Sequence, residues 1–158
     1  MTSAAAQITP SHPAFGQVAA LFDDYRRHYG QPPSPQLARD WLHGQLARHR
    51  MTITAALHAG QARGFITATV MPASLTLGNA WSIRDLYVAP QHRRRGIARA
   101  LLRHVIDDAR AAGASRLSLQ TEVGNAPALA LYITAGFQPI HGLQLLSLTL
   151  TPGDHHDC

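Results

Sequence analysis

Three successive patterns between Trp81 and Thr121 constrain this chain more than any other feature. Trp81 to Val88 reads as a strand and is stopped by Pro90. Gly96 to Ala112 carries two adjacent apolar rows at helical spacing, Ile97–Leu101–Val105 and Ala98–Leu102–Ile106, with Gly113 placed to cap the helix end. Arg99, Arg103 and Asp107 lie outside both rows, and Arg103 and Asp107 are spaced for an i, i+4 pair. Leu117 to Thr121 is a second short strand. Strand, amphipathic helix and strand in succession predict a parallel crossover.

The flanking segments predict antiparallel pairing around it. Met51 to His58 and Ala62 to Met71 read as two strands joined by Ala59-Gly-Gln61, a hairpin. Pro72 to Ala80 reads as a loop. Two helices precede the hairpin. Ser11 is the N-cap candidate of the first, whose apolar residues are Phe15, Val18, Leu21 and Phe22. Ser34 before Pro35 opens the second, with Leu37–Trp41 and Leu42–Leu46 steps. Residues 1–10 are expected to be frayed. After Thr121, a helix begins at Asn125, with Pro127 in its first turn, and Gly136 ends it. Phe137 starts the closing strands, the last being Leu143 to Leu150. The expectation is one α/β domain over residues 1–150, with a mixed sheet, and a disordered polar tail at 151–158.

Composition narrows the function classes. All 14 basic residues among the 158 are arginine, against nine acids, for a formal net charge of +5. Seven of these arginines fall between Arg84 and Arg110, so the charge is focused on the crossover. Genome-composition bias is the simplest account of the missing lysine. The one cysteine, Cys158, rules out an internal disulfide and argues against a cysteine zinc site. No basic-then-apolar leader opens the chain, and no apolar run reaches the roughly 18–20 residues of a bilayer span. A cytoplasmic protein without a metal is expected.

The turn Arg93-Arg-Arg-Gly96-Ile-Ala98 joins the strand to the helix N-terminus. Amides there lack intrahelical acceptors, and the macrodipole adds about half a positive charge, so such a turn binds phosphate. A Walker loop is excluded because there is no lysine, and a dinucleotide fingerprint because only Gly96 is present. The run resembles the acyl-CoA pyrophosphate loop, Arg/Gln-x-x-Gly-x-Gly/Ala, of the GNAT N-acetyltransferase superfamily. Asn125-Ala-Pro-Ala128-Leu-Ala-Leu-Tyr132-Ile-Thr-Ala-Gly136-Phe137 resembles that family's Asn-x-x-Ala-x-x-x-Tyr-x-x-x-Gly-Phe segment. The resemblance is strong over about residues 81 to 140.

The resemblance implies a mostly antiparallel mixed sheet with a central parallel pair splayed to take acetyl-CoA. It implies contacts from backbone at Leu86, Tyr87 and Val88, from Arg93, Arg94, Arg95, Gly96, Ile97 and Ala98, and from Asn125, whose simpler role is N-cap. It implies direct attack of an amine acceptor on the thioester, with an oxyanion held by an N–H near Val88 and Tyr132 as general acid. The base is Asp85 or Glu122, acting directly or through water. Position 84 is Arg where family members often place an acid, and Asp85 points to the opposite strand face from Arg84 if pairing is regular. A homodimer is a further implication.

Other residues read as structural. Phe15, Phe22 and Trp41 are expected in the core, Tyr25 and Tyr29 on a packed helix face, and His92 and His104 on the surface. Two other functions compete. One is a non-catalytic acyl-CoA sensor, opposed by the presence of Tyr132. The other is an arginine-rich nucleic-acid module, opposed by the absence of aromatics interleaved with Arg84–Arg110 and of helix-turn-helix spacing. No partner of nucleic acid or membrane is expected.

Overall fold

A computed structural model describes residues 3–150. Five strands form one sheet in the order β1 (Ala4–Gln7), β2 (Thr52–His58), β3 (Gln61–Ala73), β4 (Gly78–Val88) and β5 (Arg116–Ser118). The first three pairings are antiparallel and β4 pairs with β5 in parallel. The expected mixed α/β sheet with a parallel pair is therefore formed, and that pair sits at one end of the sheet. The helices are α1 (Phe15–His28), α2 (Pro35–Ala47), α3 (Ile97–Ala111) and α4 (Ala126–Thr134). No described helix is long and apolar enough to cross a membrane.

Alternation along β3 sends side chains to two cores. Phe65 joins Phe15, Val18, Leu21, Phe22, Leu42, Leu46 and Ile53 under α1 and α2. Ile66 and Ala68 join Ile83, Val88, Ile97, Leu101, Leu102 and Val105 under α3. The two rows read from the α3 sequence supply its buried face. Gly113 takes φ +70 just past its end, as a left-handed cap does. At the α1–α2 elbow, buried Asp23 accepts from Arg26 at 2.6 Å and from the Ser34 amide at 3.2 Å.

Several expectations are corrected. The N-terminus is not frayed over residues 4–7: these form β1 on β2, and Ile8 is buried behind them. Small residues pair through backbone alone, so their side chains gave no apolar signal. Ser11 does not cap α1, whose N-cap position is Ala14; the Ala14 amide instead donates to His12 Nδ1 at 3.0 Å. Pro72–Ala80 is not a loop. β3 and β4 continue through it to a short turn at Ser74–Thr76. Trp41 is 51% exposed, stacked on Phe22 with ring centroids 5.7 Å apart. Asp107 pairs with Arg110, not Arg103, at 3.7 Å, and His104 lies 3.2 Å from Asp108.

The closing strands do not form. Residues 138–150 have no strand partner, and Leu143, Leu146, Leu148 and Leu150 are exposed. An alternating pattern is necessary for a strand, but hydrogen bonds to a neighbour make one. β5 stops at Ser118 rather than Thr121 for a related reason: its ladder with β4 ends at the Ser82–Ser118 pair. The expected tail at 151–158 lies outside the described residues.

Candidate active site

The sheet opens at a bulge. Thr67 pairs with Asp85 and Ala68 with Ile83, so Arg84 is an extra residue in β4. The consequence shows in the burial. Ile83 belongs to the α3 core and Tyr87 to the α1 core, although four residues apart they would share a face on a regular strand. The bulge thus moves Asp85 from the α3 side to the α1 side. It also explains why the alternation expected from regular pairing fails at Arg84 and Asp85.

Beyond the bulge β4 has no partner on its outer side, because β5 pairs only with Ala80 to Ser82. The gap is a cleft of about 820 Å³. Leu86, Tyr87 and Val88 line it from β4, and Gln120, Thr121 and Glu122 line it from the segment after β5. The Ala89 amide donates to Arg63 O at 2.9 Å, which places Phe65–Tyr87 and Thr67–Asp85 as the hydrogen-bonded pairs with β3. The backbone polar groups of Leu86 and Val88 therefore face the open side. One of them has a partner: Arg93 Nε donates to Val88 O at 2.9 Å, and the same guanidinium lies 5.5 Å from the Tyr87 ring centroid.

The turn into α3 carries two left-handed residues. Arg94 has φ +59 and Gly96 φ +77. Two left-handed residues curl successive amides toward one side. The amides of Arg94 through Ala98 donate to no backbone acceptor among the described residues. Arg93, Arg94, Gly96, Ile97, Ala98 and Arg99 line the cleft, whereas Arg95 is outside its lining. Arg95 instead stands near His92, and His92 was not merely surface: it lines the cleft. Partial burial, then Arg63 and Arg95, push the His92 pKa below its ordinary value.

At the far end stands a hydrogen-bonded carboxylate. Tyr25 donates to one Asp85 oxygen at 2.8 Å, and the buried Thr67 hydroxyl donates to the other. Burial first, then the Asp85 charge, raise the Tyr25 pKa above its usual range. Tyr25 and Tyr29 line the cleft, contrary to the reading of both as packing residues. Tyr25 also packs, in edge contact with Phe65 at 5.7 Å. The sequence held one clue to this, the Tyr25-Arg-Arg-His-Tyr29 spacing on one helix face, but not the bulge that brings Asp85 beneath it. On the opposite wall Asn125 caps α4, accepting from the Ala128 amide at 3.3 Å. Tyr132, one and a half turns into α4, lines the cleft and sits at 6.0 Å from Phe137. Burial, then Tyr29, raise the Tyr132 pKa. Its hydroxyl stays protonated at neutral pH.

This geometry meets a family pattern: the acetyltransferase (GNAT) family matches residues 17–137. The chain belongs to that family. GNAT enzymes use acetyl-CoA. The chain is 33% identical over 121 residues to the uncharacterized N-acetyltransferase YhfO of Bacillus subtilis (strain 168), covering 77% of this chain and 81% of that one. It is 42% identical over 53 residues to the ribosomal protein bS18-alanine N-acetyltransferase of Escherichia coli (strain K12), covering 34% of this chain and 36% of that one. A solved structure described as a probable acetyltransferase superposes with a TM-score of 0.88 at 30% identity, over 95% of this chain and 99% of that one.

Proposed function

We propose that this acetyltransferase moves the acetyl group of acetyl-CoA to a primary amine by direct attack, within one cleft. The observation that carries the reading is that Tyr132, Tyr25 and Asp85, the last held from behind by Thr67, line the same cleft, which opens onto the unpaired amides of Arg94 to Ala98. The amide run and the arginines Arg93, Arg94 and Arg99 suit phosphates. The open edge at Leu86 and Val88 suits an extended pantetheine added like a strand. The likeness to an enzyme acting on an alanine amine of bS18 supports nitrogen as the acceptor atom.

When bound, acetyl-CoA supplies a thioester carbonyl, and a C–N bond replaces the C–S bond. An amine with a pKa near ~10.4 must first lose a proton. Asp85, fixed by two donors, takes that proton directly or through water; Glu122 is the alternative on the opposite wall. The Val88 N–H, on the open side of β4, supports charge on the carbonyl oxygen. Tyr132 holds a proton at Oη for the departing sulfur. The test is CoA release with an amine panel. Tyr132→Phe should lower kcat by roughly 10²-fold, within the usual range for loss of a general acid. Equal rates, where chemistry limits, would remove Tyr132 from the mechanism.

A further inference from the structure

The cleft has two electrostatic halves. Four arginines line it, Arg84, Arg93, Arg94 and Arg99, against two acids, Asp85 and Glu122. Arg93, Arg94 and Arg99 belong to the turn and first helical turn of the α3 end. At the other end Arg84 stands directly beside Asp85 in sequence, displaced by the bulge. Arg84 is exposed and forms no ion pair among the described residues. Around this end, α1 and its C-cap contribute a ring wall that meets β4: Tyr25 and Tyr29 at 5.1 Å, His28 and Tyr29 at 5.2 Å, and Tyr25 and the β4 residue Tyr87 at 5.7 Å.

An acceptor with several ammonium groups needs a carboxylate near each. Here it would meet at most two, Asp85 and Glu122, with the Arg84 guanidinium lining the same cleft. Each oxygen of Asp85 already accepts one hydrogen bond and has one lone pair left, enough for a single ammonium. Arg84 offers a fork suited to a carboxylate a few bonds away from that ammonium. The rings accommodate an apolar side chain.

We infer that the acceptor is an amino-acid-like monoamine: its ammonium on Asp85, its carboxylate on Arg84, its apolar side chain against Tyr25, Tyr29 and Tyr87. This deepens the proposed acetyl transfer and rests on that reading for turnover, but not for binding. Arg84 acts as a specificity-determining residue.

The experiment compares phenylalanine, phenethylamine (the same amine without the carboxylate), spermidine and kanamycin. Two measurements run in parallel: CoA release, and calorimetric titration into CoA-saturated protein. Phenylalanine should exceed phenethylamine by about tenfold in affinity, the scale of one exposed charge-assisted hydrogen-bond pair. Arg84→Ala should erase that ratio, Arg84→Glu should invert it, and Arg84→Lys should restore part of it. A ratio near one in the wild type, a ratio that Arg84→Ala leaves intact, tighter binding of the polycations, or no binding of any amine would each overturn the assignment. Carboxylate-dependent binding without CoA release would support the acceptor class while refuting the catalytic reading, so the two failures are distinct.

Discussion

Gly64→Ala tests how the sheet holds the open edge of β4 in place. Gly64 pairs with Val88 where β3 passes beneath the start of α3. A Cβ there would stand 2.8 Å from Tyr87 O, 3.1 Å from Val88 Cγ2 and 3.3 Å from Ile97 Cγ2. The first contact is with backbone and cannot be relieved by a rotamer change, so β4 or α3 must shift. Overpacking of this kind costs about 1–3 kcal/mol. The lower strand entropy of alanine returns roughly 0.5–1 kcal/mol of this. At 2–4 °C per kcal/mol for a chain of this size, Tm should fall by up to about 10 °C. Val88 and Ile97 both line the cleft, so acetyl-CoA should also bind several-fold more weakly. Gly60→Ala is the control. Gly60 sits at φ +75 with nothing within 4 Å of a new Cβ, so it incurs a backbone cost of roughly 1–2 kcal/mol without crowding. Differential scanning fluorimetry and calorimetric titration of acetyl-CoA separate the two. An unchanged Tm and affinity in Gly64→Ala, or equal weakening of acetyl-CoA binding by Gly60→Ala, would mean that the Gly64 contact does not hold the edge.

Two other perturbations follow from the same geometry. Tyr25 has a raised pKa, so the folded state keeps its proton where the unfolded chain would lose it; that contribution is complete below pH ~10 and fades above it. Tyr25→Phe should flatten the loss of Tm between pH 9 and 11, in part only because Tyr132 is shifted the same way. In the arginine turn, Arg93→Ala should lower both stability and acetyl-CoA affinity, since Arg93 braces Val88 O and Tyr87. Arg94→Ala should lower affinity, and Arg95→Ala should lower it least, because Arg95 lies outside the cleft. Three equal effects in the titration would contradict that division.

The crossover was legible because its signals are local and redundant. Two apolar rows, a stop at Pro90 and a cap at Gly113 all agree on one helix between two strands. The phosphate turn was legible for the same reason. The cleft's other end was not. Asp85 meets Tyr25 across 60 positions of chain, through a bulge that shows only in the structure, where Ile83 and Tyr87 do not share a face. Periodicity assigns residues to faces only while pairing stays regular, and this site is built where it does not. β1 was missed because Ala4-Ala-Ala-Gln7 carries no apolar alternation at all. Leu143 to Leu150 erred in the other direction, since its alternation stands without a partner strand.

The arginines at the start of α3 conflict with the helix they open. A helix N-terminus is positive and favours acids, yet the first turn of α3 holds none. Arg93, Arg94 and Arg95 precede it and Arg99 lies within it. Like charges at the positive end destabilise the unliganded helix by roughly 0.3–1 kcal/mol each at low ionic strength. A local conflict of this kind is expected where a ligand resolves it. Salt then has two opposite effects. Screening relieves repulsion in the free protein, so its Tm should rise as sodium chloride goes from 20 to 300 mM, a range over which the Debye length shrinks from roughly 20 Å to about 6 Å. The same screening weakens attraction for phosphates, so acetyl-CoA affinity and the Tm increment it produces should fall. Thermal shifts with and without acetyl-CoA across that range measure both. Parallel salt trends would mean that the cluster is a solvated surface, and that the anion is held by the amides of Arg94 to Ala98 alone.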